Sequence, residues 1–301
     1  MKSKINFHIH TTHSDGGKTP AEVVALLAET VVEYFAITDH DKVTGNIEAA
    51  EAAVQYGLKH IGGIELSCCF ADGEIGFDES WACHILGLGI DAAKMQAELT
   101  RIEAEKDVQF RKLFDLLVAD GYNIDIKRVT INGKIPARKT LSKELINKGY
   151  ANSGDECYEK ILNTERYRKY AKIKPTIKDG IDVIHACGGL AVWAHPFGVT
   201  RGGKREIARE QVVELLRSMI DYKIDGIEAY YHKYSAERIR LLEALADQNK
   251  LLKSIGTDFH CSSFDEEKHP EYIALRQRES IVFDVDGIEP NESIVKGLYR
   301  I

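Results

Sequence analysis

Two histidines one residue apart, His8 and His10, begin a series of metal-binding residue types that recur along the chain at the ends of short apolar runs. They sit in Ile5-Asn6-Phe7-His8-Ile9-His10-Thr11-Thr12-His13-Ser14-Asp15, which reads as a strand followed by a loop. Alternate residues of a strand share a face, so both imidazoles point the same way and suit a divalent cation. An isolated His-x-His pair is as easily a solvated surface pair. Here Thr38-Asp39-His40, Glu65, His84, Ala194-His195-Pro196 and Gly256-Thr257-Asp258-Phe259-His260 follow. Ionisable groups gathered at equivalent strand ends are costly to bury unless paired or metal-bound.

The elements that must position these groups alternate between strand and helix. Thr19-Pro20-Ala21-Glu22 is a capping box with proline at the first helical position, and its helix is predicted to run to about Thr30. The buried-strand pattern 33–38 follows, then a helix from near Thr44 to Tyr56 with Gly57 placed to end it. Further strands are predicted at 60–66, 84–90, 190–194, 224–230 and 252–256, with helices near 205–222 and 235–249. The alternation implies a parallel α/β architecture, in which sites gather at the C-terminal ends of strands. A closed or nearly closed barrel brings His40, His195 and Asp258 around one mouth.

One stretch breaks the pattern. From Asp91 to about Gly180 strand signal is scarce. Asp91 is placed to cap a long helix with apolar positions Met95, Leu99, Ile102, Phe110, Leu113, Phe114, Leu117 and Val118, ended by Gly121. Shorter helices near 140–149 and 155–163 follow. The expected division is residues 1–91 and 181–301 as a barrel, with 92–180 a helical insertion acting as a substrate cap. Residues 122–180 hold 14 Lys or Arg against 7 Asp or Glu, a charge of +7, and the remainder carries −14. An acidic body suits a multi-metal centre, and a basic segment attracts an anionic substrate. A solvated helical face would have the same composition.

Composition bounds the rest. The 301-residue chain has a net charge of −7, which argues against extensive duplex nucleic-acid binding. Polar residues interrupt the N-terminus at once, no apolar run reaches membrane length, and a cytoplasmic protein is expected. Six cysteines without a CxxC pair read as reduced thiols, with Cys83 a core filler rather than a ligand.

His8-x-His10 with Asp15, Thr38-Asp39-His40, Gly63-Ile64-Glu65, Ala194-His195-Pro196 and Gly256-Thr257-Asp258-Phe259-His260 together resemble the four-motif signature of the PHP (polymerase and histidinol phosphatase) superfamily. His84-Ile85-Leu86-Gly87-Leu88-Gly89-Ile90-Asp91, Asn147-Lys148-Gly149-Tyr150 and Ala186-Cys187-Gly188-Gly189 further resemble its stand-alone phosphoesterases, which act on nucleoside 3′,5′-bisphosphates and on short RNA from the 5′ end.

The resemblance implies a distorted (β/α)7 TIM-like barrel with a helical insertion and two to three divalent ions, with Mn2+ favoured over Zn2+ or Fe2+. It assigns His8, His10, Glu65 and Asp258 to a first ion. Glu65, His84 and His195 fall to a second, with Glu65 bridging, and Asp15, His40 and His260 to a third. A bridging carboxylate keeps two cations about 3.5–4 Å apart, and water between them becomes hydroxide near neutral pH. Asp39 is expected to orient a ligand from behind. The subgroup carries Arg-x-His-x-Ala in the insertion, whereas this chain has Arg138-Lys139-Thr140-Leu141-Ser142. Arg138 is the candidate clamp for a second phosphate. Arg201 and Lys204 are candidates on a glycine-rich loop, and Glu228 and His232 are candidates to position substrate or donate a proton. His13, His60, His185 and His269 read as structural or solvated.

The implied activity is a metal-dependent phosphoesterase acting on a small nucleotide or a short RNA end. Histidinol-phosphate phosphatase is the enzymatic alternative. A non-catalytic, metal-stabilised module is the alternative of another class, but such modules tend to lose ligands and this chain keeps every one.

Overall fold

The structure, a computed structural model, describes residues 2–71, 77, 81–133, 138–168, 170, 174–200, 204–261, 277–285 and 288–299. They fall into two compact units: residues 1–98 with 176–301, and residues 99–175.

Among the described residues the first unit has nine strands: β1 (Ile5–Asn6), β2 (Tyr34–Ile37), β3 (Lys59–Cys69), β4 (Ala82–Leu88), β5 (Leu190–Trp193), β6 (Gly198–Thr200), β7 (Lys204–Glu206), β8 (Gly226–Tyr231) and β9 (Leu252–Gly256). Seven of them follow the order β1-β2-β3-β4-β5-β8-β9, and β6–β7 is a hairpin hung on β4. The sheet curls back on itself. Phe7 N–H donates to Ile255 O (2.9 Å), His10 N–H donates to Phe259 O (2.8 Å), and Ile9 bridges Phe259 in parallel. This is a nearly closed α/β barrel of the TIM-like kind.

Three expectations change. The first strand is regular only at Ile5–Asn6, and His8 and His10 lie on extended chain between β2 and β9, held by Thr38 N–H donating to Ile9 O. The sheet is also not uniformly parallel, because β4 pairs antiparallel with both β3 and β5. Finally, residues 204–206 form β7 rather than the start of a helix, which begins at Arg209.

Local signals act as read. Thr19 Oγ1 accepts from Glu22 N–H while Glu22 Oε2 accepts from Thr19 N–H, opening the helix Pro20–Ala28. The helix Gly45–Tyr56 ends at Gly57 in the left-handed region (φ 68°). Val23, Val24 and Leu27 pack with Phe35, Ile37 and Phe259 in a fully buried cluster between helices and sheet. Burying each such side chain contributes about 1.5–3 kcal/mol.

The second unit is helical. The helix Ala92–Ala119 enters it, opened by Asp91 Oδ1 accepting from Ala93 and Lys94 N–H. Phe110, Leu113 and Leu117 form a core with Leu141, Leu145 and Leu162, whereas Val118 is exposed and takes no part. The helices Arg138–Asn147 and Gly154–Cys157 follow, the latter continuing as a single π turn, Tyr158–Leu162.

Candidate metal centre

Glu65 lies at the middle of the cluster. It is fully buried on β3, and its two carboxylate oxygens face different sets of histidines. Oε2 is 3.2 Å from His8 Nε2, 3.1 Å from His10 Nε2 and 3.0 Å from His40 Nδ1. Oε1 is 2.9 Å from His84 Nδ1 and 3.0 Å from His195 Nε2. Three interlocked groups of donor atoms result: His8, His10, Glu65 and Asp258; His40, Glu65 and His84; and His10, Asp15, His40 and His260. His195 Nε2 stands 3.3 Å from His84 Nδ1 beside the second group.

The spacing fits cations. Donors about 2.0–2.2 Å from a four- or six-coordinate ion stand about 3.0–3.5 Å from one another. In the first group the separations are 3.2 Å from His8 to His10, 3.2 Å from His10 to Asp258 Oδ1 and 3.5 Å from His8 to Asp258 Oδ1. Glu65 Oε2 and His40 Nδ1 are buried and lie 3.0 Å apart with no hydrogen bond to each other. Buried polar atoms are normally satisfied, so lone pairs converging this way point to a shared partner between them. Imidazole with carboxylate suits manganese, zinc or iron.

Protons and cations compete for these atoms. Burial disfavours charge on His8, but Glu228, Glu65 and Asp258 outweigh it and raise its pKa well above the ordinary value. Burial likewise opposes charge on His10, which hydrogen bonds to Asp258 and Glu65 raise to about 9. Burial pushes Glu65 and Asp258 upward, but the surrounding histidines hold both carboxyls well below the usual range.

Other side chains hold the donors in place. Asp39 accepts from Thr11 N–H (2.8 Å), Thr11 Oγ1 (2.7 Å) and Ser14 Oγ (2.5 Å), pinning the loop that leads to Asp15. Tyr231 Oη donates to Asp258 Oδ2 (2.7 Å), and Glu228 contacts both His8 and His195. Asp258 (φ 51°) and His195 (φ 31°) adopt left-handed backbone without being glycine, a strain of about 1–3 kcal/mol each of the kind found at functional sites.

Thr11, Ser14 and Tyr231 escape a reading of the sequence. Glu228 and Tyr231 are three apart and alternate faces on a regular strand, but a bulge between Glu228 and Tyr230 shifts the register and turns both inward. Tyr230 points outward instead, donating to Glu243 (2.7 Å).

His232 follows β8, half-buried, with Nδ1 unpartnered; burial lowers its pKa to about 4. Arg138 belongs to the second unit, where its guanidinium donates to Leu162 O (2.6 Å) and Asn163 Oδ1 (3.0 Å) and lies over the Tyr158 ring. Arg201, His269 and the side chain of Lys204 lie outside the described residues. His185 pairs with Asp225 (2.7 Å) and His13 with Thr44 (2.6 Å). The described cysteines are reduced thiols, and Cys83 is buried opposite Cys68. No described helix is long and apolar enough to cross a membrane.

Residues 6–285 match the PHP domain family, so the match spans every donor in the cluster. The chain belongs to the PHP domain family. Relatives within reach of this PHP chain differ in what they act on. It is 27% identical to a 3′,5′-nucleoside bisphosphate phosphatase of Chromobacterium violaceum over 86% of this chain and 87% of that one. It is 30% identical to the 5′-3′ exoribonuclease Rnm of Escherichia coli over 85% and 84%. It is 28% identical to a phosphoribosyl 1,2-cyclic phosphate 1,2-diphosphodiesterase of Eggerthella lenta over 85% and 93%. A solved amidohydrolase structure from Chromobacterium violaceum with bound sulfate superposes with a TM-score of 0.56 at 26% identity, covering 97% of this chain and all of that one.

Proposed function

We propose that this PHP protein is a metal-dependent phosphoesterase that removes a terminal phosphate from a small nucleotide carrying a further phosphate, such as a nucleoside 3′,5′-bisphosphate, or acts at the 5′ end of a short RNA. The observation that carries the hydrolytic reading is the division of Glu65, whose oxygens serve histidines on two sides. Divalent cations held by His8, His10, Asp15, His40, Glu65, His84, His195, Asp258 and His260 would neutralise phosphoryl oxygens and activate water as a nucleophile near neutral pH. The chain's own part is to keep these donors pre-arranged. Asp39 fixes the Thr11–Ser14 turn, and Tyr231 holds Asp258.

Charge supports the anionic substrate. Residues 122–180 carry +7, which draws a bisphosphate and repels the amine of histidinol phosphate. We read residues 99–175 as a substrate-binding insertion on the same ground, with Arg138 a source of fixed positive charge. The Eggerthella lenta relative favours a second reading, hydrolysis of a cyclic phosphodiester, at nearly the same identity.

A phosphate-release panel with manganese or zinc tests this. It should contain a nucleoside 3′,5′-bisphosphate and histidinol phosphate, a cyclic ribose phosphodiester with a phosphatase added afterwards, and a 5′-phosphorylated oligoribonucleotide read instead by the release of nucleoside monophosphate. The bisphosphate or RNA end is expected to give the highest kcat/KM, with a preference that shrinks as salt screens the field. A lead for histidinol phosphate or the cyclic diester would replace the substrate assignment. Inertness toward all four would remove the phosphoesterase reading.

A further inference from the structure

The carboxylate of Glu228 is fully buried behind the metal centre and meets two ligand histidines from different parts of the chain. His195 N–H donates to Oε2 at 2.7 Å. Oε1 lies 2.8 Å from His8 Nδ1, and the other ring nitrogen of His8, Nε2, faces Glu65, His10 and Asp258. The site is shaped around this pair. A β-carbon at Gly256 would overlap Glu228 Oε1 and stand 2.5 Å from His8 Cβ, so glycine alone leaves room for the contact.

The chemistry allows one arrangement. A backbone N–H can only donate, and an ionised carboxylate can only accept. With Oε2 taken by His195, Oε1 must accept from His8, so His8 Nδ1 carries a proton and the Nε2 lone pair is left for a cation. We propose that Glu228 is a positioning residue that sets the ring tautomer of His8 and pins the left-handed backbone of His195, coupling the two sides of the Glu65 bridge. The proposal rests on the metal reading above. It also predicts that glutamine cannot serve. Glutamine has one acceptor oxygen, which the His195 N–H claims. Its amide then donates to His8 Nδ1 and drives the ring proton onto Nε2, the atom that faces the centre.

Two measurements test it, both on the zinc-loaded full chain and neither an activity. The first is nitrogen-15 NMR of the histidine rings in the wild type. The expected signature for His8 is a protonated Nδ1 and a zinc-bound Nε2. The second is zinc affinity by chelator competition for Glu228→Gln. Removing such a partner behind a ligand typically weakens binding about 10- to 100-fold, and that loss is expected at one site, with the His8 signature lost alongside. A role confined to packing would leave the tautomer unmoved. Unchanged affinity and ring signals in Glu228→Gln would overturn the proposal. So would zinc on Nδ1 of His8 in the wild type, which decides the matter even if the variant does not fold. Wild type that binds no zinc would overturn the metal reading and this proposal with it, whereas Nδ1 ligation overturns this proposal alone.

Discussion

His84 Nδ1 stands 2.9 Å from Glu65 Oε1 because β4 runs against β3. His84 is near the start of its strand and Glu65 is toward the end of its own, yet the antiparallel pairing of Ser67 with His84 brings both to the same mouth. A parallel β4 would carry His84 to the far end of the barrel, away from every other donor.

If Glu65 joins the two sides of the centre, Glu65→Gln lowers metal content and turnover together. A neutral amide offers one acceptor oxygen where the carboxylate offers two charged ones. The loss should exceed the roughly 10- to 100-fold typical of residues behind the ligands. Elemental analysis of the purified variant beside its kcat checks this, and wild-type metal content with full turnover would take Glu65 out of the centre.

Metal-free and metal-loaded protein should respond oppositely to pH. Burial opposes charge on His10, but hydrogen bonds to Asp258 and Glu65 raise its folded pKa to about 9, above the ordinary 6.5. Such a group contributes stability that is complete below about pH 6.5 and is lost as pH rises through about 9. Metal needs the same nitrogen deprotonated, so affinity grows over that window. Melting curves at pH 6.5 and 9, with and without zinc, should show the metal-free Tm falling and the increment from zinc rising.

His60 tests the opposite sign. It is half-buried beside Phe35, its Nε2 has no partner, and burial lowers its pKa to about 4. The folded state holds it neutral, so stability is lost as pH falls from about 6.5 toward 4, when the unfolded chain takes up the proton first. Between pH 7 and pH 5 this amounts to about 2 kcal/mol. Urea unfolding of His60→Leu should show an acid loss smaller by about that amount, and an unchanged loss would place the acid sensitivity elsewhere.

Gly180 sits in the helix Ile177–Ala186, and a β-carbon there would overlap Cys68 Sγ on β3. Alanine gains about 1 kcal/mol in helix propensity, but overpacking a close-packed interface costs about 1–3 kcal/mol. Gly180→Ala should therefore be net destabilising, and adding Cys68→Ala should recover most of the loss. Thermal melts of the two variants settle the sign.

Much of this protein is legible in its sequence because the signals are local. The capping box at Thr19, the left-handed stop at Gly57 and the run of apolar residues in each strand act over a few residues, and they locate the helices and strands. His8-x-His10 and the later motifs around His40, Glu65, His84, His195 and Asp258 name the donors for the same reason. Tertiary structure alone decides how the donors meet. The direction of β4 depends on which neighbours accept its hydrogen bonds, and the inward turn of Glu228 and Tyr231 depends on a bulge against β9. The left-handed backbone at His195 and Asp258 is tolerated only because surrounding groups hold it, among them Glu228 at the His195 amide and Tyr231 at the Asp258 carboxylate. A residue type and its spacing specify which lone pairs are available. Where each pair points depends on contacts between residues far apart in the chain, which no local pattern encodes.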